Sequence, residues 1–306
     1  MIHNVPHMAK HGTAGCLHIV ATPIGNLDDI TLRALRVLAE ADVIAAEDTR
    51  PRRAVMARHA LDRPVLALHE HNEEQQAPRL LERLQRGEDV ALVSDAGTPL
   101  LSDPGYRLVG LVAAAGIEVV AIPGASAITA ALSISGLPTD RCAFEGFMPS
   151  RRAARLKLVQ RLQSEQRTLV FFESSHRVAA SLADLLATFG AERKAAVCRE
   201  MTKQFETVLR GSLADLSARV EADADQRRGE FVLVVAGCPA SADAALPEAL
   251  RLARELQPLL GASQAARTAA RLLDVPRRTV YEALGQGKGD EESHGEGSRG
   301  RGEGSE

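Results

Sequence analysis

The sequence predicts an α/β protein made of two α/β domains followed by a small helical domain, and three observations predict it. Short apolar runs alternate with amphipathic stretches from Leu17 onward, which is the mark of βαβ units and a mostly parallel sheet. After an unpatterned stretch, Gly136–Arg152, with Pro138, Pro149 and two glycines, a second series of alternations begins. The 306 residues, 45% of them hydrophobic and 25% charged, are enough to bury two cores.

The elements follow in order. Leu17–Ala21 reads as a strand, Thr22–Asp29 as a loop, and Ile30–Ala41 as a helix with Leu32, Leu35 and Leu38 on one face behind the caps Asp28 and Asp29. Val43–Ala46 is a second strand, running into Glu47-Asp-Thr-Arg-Pro-Arg-Arg53. A strand at Val65–Leu68, a helix near Glu74–Arg86 closed by Gly87, and a buried-type strand at Asp89–Val93 come next. A helix over Gly105–Ala115 ends at Gly116, the strand Ile117–Ile122 follows, and Pro123–Ala127 leads into a helix to Ser135.

The second series comprises a basic helix near Arg151–Gln163, a strand Thr168–Phe172, a helix Val178–Phe189 and a strand Ala195–Cys198. A strand-like Phe205–Leu209, a helix Leu213–Val220 and a strand Phe231–Val235 complete it. Ser241–Ala245 reads as a small-residue linker, and Leu246–Leu284 as helical, with two short helices around Asp274-Val-Pro276. The expected limits are a flexible extension over 1–15, α/β domains over 16–137 and 138–240, a helical domain over 246–284 and a disordered polar tail over 285–306.

A net charge of −3 excludes a uniform basic field, so a polyanion partner has to be met by local arginine clusters. Cys16, Cys142, Cys198 and Cys238 lie far apart, with neither zinc spacing nor a disulfide framework, and read as reduced core residues. No apolar run reaches the roughly 20 residues of a membrane span, and 1–15 has no signal-peptide core; a cytoplasmic protein is expected.

The stretch Val93-Ser-Asp-Ala-Gly-Thr-Pro-Leu-Leu-Ser-Asp-Pro-Gly105 draws the reading together. It is a strand-to-helix loop, with Asp103 in the place of an N-cap and Pro104 in that of a first helical residue, at the sheet edge where open α/β sheets bind ligands. It is longer than a connection needs and carries two aspartates. Topology brings Thr22–Asp29 and Gly124–Ala127 to the same edge, where helix N-termini offer free N–H groups. Neither a Rossmann fingerprint nor a P-loop is present, which argues against the usual NAD and ATP sites.

His69-Glu-His71 with Glu73 resembles a metal cluster, but two histidines without a further placed ligand are more often polar strand-end residues, and no metal is expected. Glu173 and His176 fit acid–base work or a helix-cap region. Arg50, Arg52 and Arg53, and the run Arg151, Arg152, Arg155, Lys157 and Arg161, fit phosphates or, for the second run, a solvated helix face. Arg277 and Arg278 open what reads as a helix-turn-helix tip or a packing bundle.

From Leu17 to about Leu284 the chain resembles the ribosomal RNA small subunit methyltransferase I family, of the tetrapyrrole-methylase-like class. The residues that carry this are Thr22-Pro-Ile-Gly-Asn-Leu27, Ala46-Glu-Asp-Thr-Arg50, Leu92-Val-Ser-Asp-Ala-Gly-Thr-Pro99 with Ser102-Asp-Pro-Gly105, Glu145-Gly-Phe147, Phe172-Glu-Ser174 with His176-Arg177, Arg199-Glu-Met-Thr-Lys203 and Gly229-Glu-Phe231. The chain departs from the usual pattern at Ala125 and Met201.

The resemblance implies a homodimer of two α/β domains with S-adenosyl-L-methionine in the cleft between them, and 2′-O-methylation of a cytidine ribose in the decoding region of 16S rRNA. It implies a donor bordered by Pro23, Asp95, Ala96, Thr98, Ser126, Ala127 and Phe172. Glu47, Asp48 and Glu173 are then candidates to take the ribose proton, and Lys203 and Arg50 to hold the target. Arg50, Arg52, Arg53, Arg151 and Arg152 would carry salt-dependent backbone contacts to the 16S rRNA or small ribosomal subunit. Two other readings are a methylase acting on a small tetrapyrrole and, from a different class, a DNA-binding regulator using Ser263–Leu284.

Overall fold

Strands without a polar face can pair only inside a sheet that is covered on both sides. In the computed structural model, which describes residues 14–47, 56–239 and 242–286, β1 (Leu17–Val20), β2 (Val43–Ala46) and β4 (Val90–Val93) are buried along their whole length. With β3 (Val65–Ala67) and β5 (Val119–Ile122) they form an all-parallel sheet in the order β3-β2-β4-β1-β5. Alternate residues of each strand feed opposite faces. Leu17, Val43, Val90 and Leu92 meet α2 (Glu73–Gln85) and α3 (Tyr106–Ala114), while Val20, Ile44, Ala91 and Val93 meet α1 (Leu32–Glu40).

Two helix starts differ from expectation. Leu27–Asp29 forms a separate 3₁₀ turn, and α1 begins behind Thr31, whose Oγ1 accepts from the Ala34 N–H at 3.0 Å, so Asp28 and Asp29 do not cap it. At α3 the N-cap is Gly105, at φ 119°, not Asp103. A glycine has no capping side chain, and the buried Glu73 of α2 supplies the acceptor instead: its Oε1 takes the Arg107 and Leu108 N–H groups at 2.9 and 3.2 Å. Asp103 is thereby left to face elsewhere.

The second sheet has the order β6-β7-β10-β8-β9, from β6 (Cys142–Phe147), β7 (Thr168–Ser174), β8 (Lys194–Arg199), β9 (Thr207–Ser212) and β10 (Glu230–Val235). Only β6 and β7 run parallel; the other pairs are antiparallel. β6 lies inside the stretch read as a connection, because its glycine and its half-exposed edge position hide the strand rhythm. One face of this sheet packs on α5 (Arg152–Arg161), α6 (Val178–Phe189) and α7 (Leu213–Ala222) through Leu169, Phe171, Leu182, Leu213 and Leu233.

The other face is covered by α4 (Ala127–Ser135), the helix that follows β5 of the first sheet. Its Ala131 packs with Val170, Ala196, Cys198 and Val234. Both sheets accordingly belong to one compact unit that ends at Gly237, and the residues from Cys238 form a second. In that second unit α8 (Ala242–Leu260), α9 (Ala262–Leu272) and α10 (Arg277–Gln286) enclose a core of Ala249, Ala253, Ala266, Ala269, Val280 and Leu284. Ala242–Ala245, expected as linker, form the first turn of α8, and α10 runs past Leu284. Among the described residues no helix is long and apolar enough to cross a membrane. Of the cysteines, Cys198 is buried and its thiol is pushed up to about 11 by burial, whereas Cys142 is exposed on the edge strand.

Candidate active site

β4, β1 and β5 are neighbours in the first sheet, so the loops after them meet at its C-terminal edge. Backbone bonds tie them together. Thr22 N–H donates to the Gly97 carbonyl at 2.8 Å and Gly97 N–H to that of Thr22 at 3.0 Å, and the Thr98 hydroxyl donates to the Ala125 carbonyl at 3.1 Å. Ala125 therefore contributes through its backbone, which makes its side-chain identity secondary.

Opposite lies the loop after β8. The Asn26 N–H donates to Thr202 Oγ1 at 3.1 Å, and a Cβ at Gly25 would sit 2.6 Å from Lys203 Cγ and 2.8 Å from Thr202 Oγ1. Only glycine allows that approach.

A cleft of about 450 Å³ opens between these loops, within the range of small-molecule sites. The first sheet contributes Ile24, Asp95, Ala96, Thr98, Ser126 and Ala127, and the second Phe172, Met201 and Val232. Its border is strained. Among the described residues, six other than glycine have positive φ, and four of them, Leu100, Ser102, Glu200 and Thr202, lie in the two facing loops. Such conformations cost ~1–3 kcal/mol each and persist where the surroundings over-determine them, which is typical of ligand clamps.

The electrostatics centre on Asp103. Burial first, then the negative Glu47 and Asp95, push its carboxyl from 3.8 up to about 6. The hydroxyl of Ser94 opposes this, but it is also in reach of the Ala96 and Gly97 carbonyls at 3.2 and 3.3 Å and has a single proton to give.

Glu173 is different. Its side chain is fully buried and accepts from the Ser174 N–H at 2.7 Å, from Arg177 Nε at 2.9 Å and from the Ser181 hydroxyl. Those donors occupy both oxygens and fix the turn from β7 into α6. Lys203 Nζ bridges Glu200 and Glu230, each at 2.9 Å, and so braces the wall to which Glu230 belongs.

Of the residues singled out from sequence, Asp95, Ala96, Thr98, Ser126, Ala127, Phe172 and Glu173 line the cleft. Pro23 is buried and does not line it, and Glu47, which does not line it either, acts on Asp103 through its charge. Asp48, Arg50, Arg52 and Arg53 lie outside the described residues. Arg151 and Arg152 are exposed at the start of α5, with Arg152 Nε 3.2 Å from Asp184. Arg155 of the same run is buried in an ion pair with Asp184 at 2.8 Å and belongs to the core.

From sequence Asp103 reads as a cap and as one of two aspartates at the ligand edge, without a catalytic role, and Phe147 and Glu230 have no role, although each stands in a quoted motif and lines the cleft. The weighed grouping of His69, His71 and Glu73 has another account. Glu73 is the cap of α3, and among the described residues no group of three or more His, Cys, Asp or Glu could hold an ion.

The cleft suits a cationic, partly apolar ligand. Ile24, Ala127, Phe172 and Met201 offer apolar walls, Thr98 and Ser126 offer hydroxyls, and Asp95, Asp103 and Glu230 offer negative charge.

Comparison with known proteins bears on the same residues. The profile of the Tetrapyrrole (Corrin/Porphyrin) Methylases matches residues 16–217. The chain is 51% identical over 269 residues to the Ribosomal RNA small subunit methyltransferase I of Xylella fastidiosa (strain Temecula1), covering 88% of this chain and 98% of that one. It is 48% identical to the protein of the same name from Pseudomonas aeruginosa, over 90% and 99% of the two chains. Among solved structures, diphthine synthase superposes with a TM-score of 0.57 at 20% identity, over 72% of this chain and 90% of that one, a likeness of fold alone.

Proposed function

From the premise that the chain belongs to the tetrapyrrole methylases and, within them, to the ribosomal RNA small subunit methyltransferase I family, we propose that it transfers a methyl group from S-adenosyl-L-methionine to 16S rRNA. The finer reading is that the acceptor is the 2′-oxygen of a cytidine ribose in the decoding region, that the working form is a homodimer and that the work is done in the cytoplasm. The observation that carries the proposal is identity near 50% to proteins of that name over nearly their whole length.

The residues present fit the donor. It supplies a methyl group on a sulfonium, which is already an activated electrophile, so alignment is the larger share of the work. Asp95, Ala96, Thr98, Ser126, Ala127 and Phe172 surround it, with Pro23 supporting the loop from behind. The carboxylates offset its positive charge and disfavour the entry of phosphate. A ribose hydroxyl is a weak acid, and a carboxylate near neutrality that takes its proton contributes about 10²-fold or more. Asp103, with burial and then Glu47 holding its affinity for protons high, is the group in the cleft suited to this step.

Glu173 orients the turn that carries Ser174 and Ser175 into the cleft, and Lys203 holds Glu230 in place. Arg151 and Arg152, with Arg50, Arg52 and Arg53, make salt-sensitive contacts to the RNA backbone.

The test is methyl transfer from radiolabelled S-adenosyl-L-methionine, offered in parallel to naked 16S rRNA, to small subunits from cells lacking the modification, and to no RNA. Label in the ribose of a single cytidine is expected. Donor binding by calorimetry with no label in any RNA would overturn the RNA claim and favour a small-molecule acceptor.

A further inference from the structure

Phe147 is exposed over 56% of its surface at the mouth of the cleft, and a backbone irregularity holds it there. In a regular strand Phe144 and Phe147, three residues apart, would point to opposite faces. Here the register of β6 against β7 shifts between them, and Gly146 takes φ 73°. The extra residue reverses the alternation, so both rings lie edge-on against Phe172, with centroids 4.8 and 5.3 Å apart and interplanar angles of 62° and 68°. A Cβ at Gly146 would stand 3.5 Å from Ser102 Oγ, which places the bulge against the loop that carries Asp103.

Phe172 holds the Phe147 ring in a T-shaped contact, and more than half of the Phe147 surface remains open to a flat partner. With Asp95, Asp103 and Glu230 in the same cleft, that partner is a π-system without negative charge of its own rather than a phosphate. Resting on the RNA reading above, we propose that Phe147 is the platform on which an unstacked nucleobase of the RNA target lies, and that the bulge at Gly146 exists to present it. Bases displaced from a single-stranded or loop RNA stack on aromatic rings in this way, and each such contact is lost on substitution by alanine.

The experiment compares the wild type with Phe147→Ala, Phe147→Leu and Phe147→Trp. Methyl transfer to small subunits lacking the modification gives KM and kcat for RNA, and calorimetry gives the Kd for S-adenosyl-L-methionine. Phe147→Ala is expected to raise the RNA KM by roughly 10- to 100-fold with the donor Kd unchanged. Phe147→Trp, which keeps a π-face, restores the KM to within a few-fold, and Phe147→Leu does not. A donor Kd that weakens in Phe147→Ala while the RNA KM stays put overturns the proposal and gives the ring to the donor's adenine. Leucine as good as phenylalanine also overturns it, since apolar packing would then suffice. Wild-type protein that methylates no RNA sinks the parent reading; wild type and Phe147→Ala methylating RNA equally sinks the platform alone.

Discussion

Asp103→Asn is expected to make the protein more stable at pH 8 and less active there and at neutral pH. Burial and the neighbouring Glu47 and Asp95 raise the carboxyl from 3.8 to about 6, so the folded state holds this proton more tightly than the unfolded chain does. The stability tied to that proton is fully present below about pH 4, declines as the pH rises through about 6, and is gone above it. At ~1.4 kcal/mol per decade the gap amounts to about 3 kcal/mol, and partial solvent access halves this to about 1.5 kcal/mol.

Asparagine keeps an oxygen for the Ser94 hydroxyl and removes the charge. In thermal unfolding followed by circular dichroism, its midpoint at pH 8 should lie about 4 °C above the wild type. At pH 4 the two midpoints should nearly coincide, because the wild-type carboxyl is then protonated in the fold. Glu47→Gln should reproduce part of the gain at pH 8. Methyl transfer by Asp103→Asn should fall about 10²-fold. A midpoint at pH 8 equal to or below the wild type would show that the carboxylate carries no such penalty and would remove the physical basis for its role as proton acceptor.

Other perturbations have equally definite outcomes. Gly25→Ala pushes a methyl group against Thr202 Oγ1 and the Met201 carbonyl, 2.8 and 3.0 Å away, and should weaken donor binding about tenfold in calorimetry as the facing loops part; unchanged affinity would mean that the approach is not needed. Arg155→Ala leaves the buried Asp184 with only the exposed Arg152, and denaturant titration should show a loss of about 3 kcal/mol. Glu73→Ala strips the N-terminus of α3 of its acceptor and should lose about 1–2 kcal/mol in the same titration, with a larger effect than Glu74→Ala on the exposed side of the helix.

The first sheet was legible because Val43–Ala46 and Val90–Val93 have no polar position and Leu17–Val20 has only His18, and glycine and proline follow these runs. That the loops after β1, β4 and β5 meet at one edge was legible for a related reason: in a parallel sheet the loops leave every strand at the same end, whatever the side chains. The second sheet was harder. Its antiparallel pairing depends on which strands meet across the fold, and local periodicity does not record that. Gly146 made β6 read as a loop, although the bulge it forms is what brings Phe147 to the cleft.

Asp103 was read as a cap because its position fits one; the competing acceptor, Glu73, lies thirty residues earlier and only the fold brings it there. Glu173 was legible as important but not as saturated, since its donors Arg177 and Ser181 come from the helix that follows.

The placement of α4 bears on how a ribosome delivers this chain. The helix is made with the first sheet, yet Ala131 finds its packing partners in Val232 and Val234, about a hundred residues later. At ~5–20 residues per second, an apolar helix face stands uncovered for about 5–20 s during synthesis. Slow codons or a chaperone acting between Ser135 and Val235 would therefore govern the yield of native protein more strongly than the same intervention before β5, since β3, β4 and β5 each pair with a strand already made.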